Sequence, residues 1–159
     1  MIVSESENEL FMADSMLGKL AKWLRLMGYS VKYVSNGVSD DEVIDLCRID
    51  SLFLLTRDKV LHERYKNSML IESDEFHEQI KQVIQVFKPD ETKYFTRCSL
   101  CNSTLFTVPI SAFDGEIPES VRSLYGEVYE CSGCGKVYWK GTHYISIRKT
   151  IANITGKPT

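Results

Sequence analysis

Long apolar runs are missing from this 159-residue chain. None approaches the roughly 18 residues that a transmembrane helix needs, so a helical membrane span is not expected. An excess of positive charge is missing as well: 19 Lys and Arg stand against 22 Asp and Glu, for a formal charge of -3. Such a surface is not coated in positive charge, so a nucleic-acid partner has to be met by a local basic patch. The opening residues, MIVSESENEL, are too acidic and polar for a secretory signal, and a cytoplasmic location is the expectation. No Gly-rich phosphate loop of either common pattern follows a candidate strand, which argues against a nucleotide-binding α/β protein. Low-complexity segments and internal repeats are also lacking, apart from two similar cysteine pairs. The 43% hydrophobic and 26% charged residues that remain are those of an ordinary globular protein, able to bury one proper core and a small stapled unit besides.

Between residues 9 and 87 short apolar runs alternate with longer amphipathic ones. ELFMA (9–13) reads as a strand. SMLGKLAKWLRLMG then places Leu17, Leu20, Ala21, Leu24 and Met27 at helical spacing and closes on Gly28. YSVKYV (29–34) reads as a second strand, and SDDEVIDLCRID as a helix opening on Ser39 or Asp40. SLFLLT (51–56) is a third strand, followed by a short helix in DKVLHERYK. SMLI (68–71) is a fourth strand, and DEFHEQIKQVIQVF (74–87) an amphipathic helix that stops before Pro89. This β-α order predicts a parallel sheet with helices on its faces.

After KPDET the composition turns to cysteine, glycine and aromatic residues, and no helical period is expected there. The segment 107–126 reads as an excursion loop. Of five cysteines, Cys47 sits in a helical segment as a small buried apolar residue, while CSLC (Cys98, Cys101) and CSGC (Cys131, Cys134) share one spacing. In a reducing compartment this pattern reads as a metal site rather than a disulfide framework. Two C-x-x-C turns supply the four thiolates of the tetrahedral cage that zinc prefers, and a zinc ion would stabilise a region too small to do so by burial. An iron-sulfur cluster and a redox dithiol are the competing readings. A closed zinc site is structural and builds a platform. Next to it, GKVYWKGTHYISIRK interleaves Lys136, Lys140, His143, Arg148 and Lys149 with Tyr138, Trp139 and Tyr144. That mixture suits phosphate contacts and base stacking, or else aromatics packed under a ribbon with solvated cations.

Ligands of open parallel sheets bind beyond the carboxyl ends of the strands. Three acids fall at that edge: Asp14, Asp58, and Asp40 or its neighbour Asp41. Clustered carboxylates repel one another unless a hard divalent cation neutralises them, and magnesium or manganese held so polarises a phosphodiester and acidifies water. Each acid also has a local explanation as a helix cap or first-turn acid.

MADSMLGKLAKWLRLMGY, LLTRD, RCSLCNSTL and CSGCGKVYWKGTHY together resemble the PIN-like ribonuclease domain with an attached zinc ribbon, first described at the C-terminus of mutator-type exonucleases. The resemblance runs from about residue 10 to residue 147. It implies an α/β, PIN-like three-layer sandwich with a parallel sheet over residues 1–89, followed by a small zinc ribbon over 90–159. It further implies Mg²⁺- or Mn²⁺-dependent hydrolysis of RNA, with Asp14, Asp40 (or Asp41) and Asp58 as metal ligands and structural zinc at the four cysteines. Glu72 and Asp74 are the candidates for a fourth acid by position. In that setting Arg57 reads as a phosphate clamp, and Lys19, Lys22 and Arg25 as cations along one helix, joined by Lys136, Trp139, Lys140 and His143 on the ribbon as the RNA-binding set. The competing function is a non-catalytic RNA-binding or ribosome-associated adaptor, in which the acids cap helices and the ribbon makes the contacts.

Overall fold

A computed structural model describes residues 10–158 of the chain, so the polar opening segment lies outside the described residues. Four strands, β1 (Leu10–Ala13), β2 (Ser30–Tyr33), β3 (Phe53–Thr56) and β4 (Ser68–Leu70), pair in parallel in the order β2-β1-β3-β4. The helices between them are α1 (Gly18–Leu26), α2 (Asp40–Ile49), α3 (Lys59–Arg64) and α4 (Phe76–Val86).

Side chains of successive strand residues leave opposite faces of the sheet, and each face has its own core. Phe11, Ala13, Val31 and Leu55 pack on one side with Leu20, Ala21 and Leu24 of α1 and Ile80 and Val83 of α4. Met12 and Leu54 pack on the other with Val43, Ile44 and Cys47 of α2 and Leu61 of α3. The result is the expected three-layer α/β sandwich. Cys47 is fully buried, and burial pushes its thiol pKa up to about 11, in keeping with an inert packing residue.

Past residue 89 the structure departs from expectation in two places. The supposed excursion loop is partly ordered: β5 (Leu105–Pro109) extends into it, and α5 (Glu119–Leu124) lies within it. β5 pairs antiparallel with β6 (Glu127–Cys131), which pairs with β7 (Val137–Tyr138), over a small core of Phe113, Val121 and Val128. The larger correction is α6 (Thr142–Thr155), a 14-residue helix where no helical period was expected. Its signal is Ile147, Ile151 and Ile154 at i, i+4 and i+7, spread through a stretch whose basic and aromatic residues look like a binding strip. Local preference for this helix is weak, because β-branched residues are frequent and Gly141 gives the N-terminus no side-chain cap. Tertiary packing supplies the stability: α6 lies against α4, and the three isoleucines join the same core as Phe11 and Leu20. Ile151 is completely buried there, so Ile151→Ala is expected to destabilise the whole chain by about 2–5 kcal/mol, measured by urea unfolding.

Candidate functional site

β1 and β3 are adjacent in the sheet, and the chain runs from β1 outward to β2 on one side and from β3 outward to β4 on the other. The point between them is the topological switch, the carboxyl edge at which open α/β sheets generally bind their ligands. Asp14 follows β1 and Asp58 follows β3, so these two acids flank it.

A single hydroxyl joins them. Asp14 is 7% exposed; its Oδ1 accepts the Met16 N–H at 3.0 Å and its Oδ2 accepts the hydroxyl of Thr56. Thr56 is fully buried, and its Oγ1 accepts the Asp58 N–H at 2.9 Å. Asp58 in turn caps α3, Oδ1 accepting the N–H groups of Val60 and Leu61 at 2.8 and 3.1 Å. Asp58 therefore caps its helix as foreseen, whereas Asp14 caps only the 3-10 turn Ser15–Leu17 that leads into α1, whose own N-cap, Leu17, has no side-chain bond. Thr56 was not singled out in the sequence, although a hydroxyl residue ending a buried strand in LLTRD is a readable signal. Thr56→Val is expected to cost about 1–3 kcal/mol, since a buried carboxylate oxygen and an amide N–H both lose a partner; a thermal melt beside wild type checks this.

Asp40 is placed differently. Ser39, not Asp40, caps α2, in a capping box where the Ser39 N–H donates to Glu42 Oε2 at 2.8 Å and the Glu42 N–H to Ser39 Oγ at 3.3 Å. Released from capping, Asp40 lies 3.7 Å from an Arg64 guanidinium nitrogen, and Asp41 bonds the same side chain. Among the described residues, the four cysteines are the one group of three or more His, Cys, Asp or Glu whose ligand atoms could share an ion as they stand; Asp14, Asp40 and Asp58 are not such a group. Glu72 and Asp74 are exposed after β4. Arg57, between Thr56 and Asp58, is half-buried, and its Nε is a buried donor with no hydrogen-bond partner.

The four sulfurs all lie within 4.8 Å of one another. Cys98 and Cys134 are 3.7 Å apart and Cys101 and Cys131 3.3 Å, close to the edge of about 3.8 Å that a tetrahedron with zinc-sulfur bonds of about 2.3 Å requires. The two turns share one geometry. In each, the N–H after the second cysteine donates to the carbonyl of the first, Asn102 to Cys98 at 3.0 Å and Gly135 to Cys131 at 3.1 Å. Both donors are left-handed, at φ 72° and 73°, a conformation open to glycine and tolerated by asparagine. Hydrogen bonding to Ser103, first its side chain and then its backbone, draws the Cys101 thiol down to about 6. The donor set fits zinc. Neither pair opens a helix, contrary to a thioredoxin-like dithiol.

The basic residues do not form one ladder. Arg25, expected to face RNA, is corrected: it is 7% exposed, and its donors go to the carbonyls of Val31 at 2.8 Å, Ser99 at 3.1 Å and Leu100 at 3.0 Å. It is buried because the first cysteine turn comes to rest on that side of α1, a placement that spacing from Lys22 does not reveal. Burial lowers its pKa, and the thiols of Cys101 and Cys98 oppose that shift. Lys19 and Lys22 are exposed, Lys19 lying 3.8 Å above the Phe76 ring. On the ribbon, Lys140 approaches the rings of Tyr129 and Tyr144 at 5.4 and 5.9 Å, and Lys136 that of Tyr138 at 5.3 Å. Trp139 is half-buried and packs on the Phe113 core, Tyr138 places its hydroxyl 3.1 Å from Cys98 Sγ, and His143 is exposed in the first turn of α6.

A parallel three-layer α/β unit with two acids at its switch point, joined to a four-cysteine ribbon, is the class that fold and site define. The chain belongs to the Mut7-C RNAse domain family, whose model matches residues 9–151 and so takes in Asp14, Asp58 and all four cysteines. Comparison with curated proteins and with solved structures gives no match. Membership gives the chain a ribonuclease-type function, and the cysteine cluster fits zinc binding. Among the described residues no helix is long and apolar enough to cross a membrane.

Proposed function

We propose that the chain is a cytoplasmic ribonuclease that hydrolyses RNA phosphodiester bonds with Mg²⁺ or Mn²⁺, residues 1–89 carrying the chemistry and residues 90–159 holding RNA. The observation that carries this reading is the meeting of the Asp14 carboxylate and the Asp58 backbone N–H on Thr56 Oγ1 at the β1/β3 switch point, which sets both acids at one sheet edge. Three carboxylates are the hard oxygen set a divalent cation takes, and Asp14, Asp58 and Asp40, with Asp41 as its alternative, are the residues that would hold it. Asp40 is engaged by Arg64, but an exposed pair of this kind contributes about 1 kcal/mol or less, so it yields readily to a doubly charged ion. The bound cation supplies charge stabilisation at the phosphate and a more acidic water.

The chain's own residues do the rest. Thr56 and the Met16 N–H fix the Asp14 carboxylate, and the α3 amides fix Asp58. Arg57, half-buried beside Asp58, meets the phosphate through its guanidinium. Lys19 and Lys22 on α1, with Lys136, Trp139 and Lys140 on the ribbon and His143 at the start of α6, bind the RNA backbone and bases. The products expected are a 5′ phosphate and a 3′ hydroxyl.

The test is incubation of labelled RNA with zinc-loaded protein in buffer stripped of Mg²⁺ and Mn²⁺, then with either ion restored, zinc content being followed throughout. Cleavage that returns with the added ion is expected. RNA retained but never cut under any of these conditions would favour the adaptor instead.

A further inference from the structure

The first cysteine turn is held against the acid-bearing unit by two side chains that the ribonuclease reading does not use. Ser99 and Leu100, whose carbonyls accept from one guanidinium nitrogen of Arg25, are the two residues between Cys98 and Cys101. From the other side Asn102 reaches back to the sheet: its Oδ1 accepts the Val31 N–H at 2.9 Å and its Nδ2 donates to Ser30 Oγ at 3.1 Å. Val31 thus has both backbone groups engaged by this pair, since its carbonyl accepts Arg25 Nε. β2 is an edge strand, and these bonds cover polar groups that would otherwise lie unpaired.

The second cysteine turn shows what is special about the first. Gly135 occupies there the position of Asn102, at nearly the same φ, so the turn itself asks for nothing that glycine lacks. The amide of Asn102 is surplus to the turn and serves the contact with β2. The approach to the turn is seated too: the Phe95 N–H donates to Leu26 O at 2.9 Å, and a Cβ on Gly28 would come within 2.5 Å of Lys93 O.

We infer that Arg25 and Asn102 are positioning residues that transmit zinc occupancy of the cysteine quartet to α1 and β2. This rests on the reading of the quartet as a zinc site. With the metal bound, the Cys98–Cys101 turn is fixed and its carbonyls stay aimed at Arg25. Without it the turn loosens, and a buried guanidinium is left short of acceptors, which the fold tolerates poorly. The positive charge of Arg25 also offsets the negative charge that four thiolates leave on a bound zinc. The consequence falls on the reaction side, because α1 begins four residues after Asp14 and carries Lys19 and Lys22.

Amide hydrogen exchange on the full chain tests this, with zinc loaded and after its removal by a chelator, for wild type, Asn102→Gly and Arg25→Lys. In wild type, one zinc per chain is expected, and its removal should speed exchange at Val31 and in α1 by about tenfold or more. Asn102→Gly keeps the turn, so it should retain one zinc and an unchanged thiolate absorption when loaded with Co²⁺. Its Val31 amide should nonetheless exchange about tenfold faster with zinc in place. Arg25→Lys keeps a cation but loses the fork that spans β2 and the turn, and should move the α1 amides in the same direction. Zinc removal that speeds exchange within residues 98–138 while leaving Val31 and α1 unchanged would overturn the coupling with the zinc site intact. Normal Val31 protection in zinc-bound Asn102→Gly would do the same. A chain that takes up no zinc would remove the zinc reading and this inference together.

Discussion

Asp14→Asn is expected to reduce RNA cleavage by at least about 100-fold, equivalent to about 2.7 kcal/mol of transition-state stabilisation, and to leave the chain folded. The substitution keeps shape and keeps an oxygen for the Met16 N–H, but removes the charge a divalent cation needs. It also has a structural cost with an identifiable source. Thr56 Oγ1 already accepts the Asp58 N–H and donates to Asp14, so an amide NH₂ at position 14 faces a hydroxyl that has lost its acceptor. About 1–3 kcal/mol of stability is the expected price. Single-turnover cleavage at a temperature well below the variant's melting midpoint separates the two effects. Asp58→Asn should behave alike in cleavage, with the α3 cap largely retained through the amide oxygen. Wild-type rates in both folded variants would leave these acids as caps alone.

Loss of zinc is the second large effect. The ribbon's own core has three buried residues, Phe113, Val121 and Val128, with partly buried neighbours such as Val108, Ile110 and Trp139, too little burial to offset the ordering of its strands. Structural zinc contributes on the order of 10–16 kcal/mol of apparent folding free energy in small cysteine-bound domains, so its removal should melt β5, β6 and β7. Cys98→Ser is the sharper form of the experiment, because that sulfur is fully buried beside Cys134 and Tyr138. The expected outcome is a chain with no bound zinc by native mass spectrometry. Its ribbon amides should exchange freely, and the four-stranded parallel sheet should persist on its two cores. Full retention of ribbon protection without the metal would mean that zinc is not what holds it.

Much of this site was legible in the sequence. Cysteine spacing predicted the quartet, because two residues between thiols is the length of a turn that aims both at one ion. Acids placed directly after strand-like runs predicted an acidic edge, because parallel strands present their carboxyl ends together. Helical and strand periods predicted the order of the first four strands and helices. Charged side chains are where sequence and structure part. Arg25 shares a helix with exposed lysines, yet it is buried because the first cysteine turn comes to rest on that side of α1. Of the two caps offered for α2, Ser39 is the one used, and Asp40 meets Arg64 from another helix.

By itself, then, the sequence determined the first four strands and four helices, the metal-type cysteine spacing and the position of Asp14 and Asp58 directly after their strands, all of which depend on neighbours a few residues away. Tertiary structure decided which acids share a partner, which cations face inward, and that α6 exists as a packed helix. Those outcomes depend on contacts such as Arg25 to Ser99, Asn102 to Val31 and Ile151 to the sheet core, between residues far apart in the chain. Burial, not local preference, sets their energies.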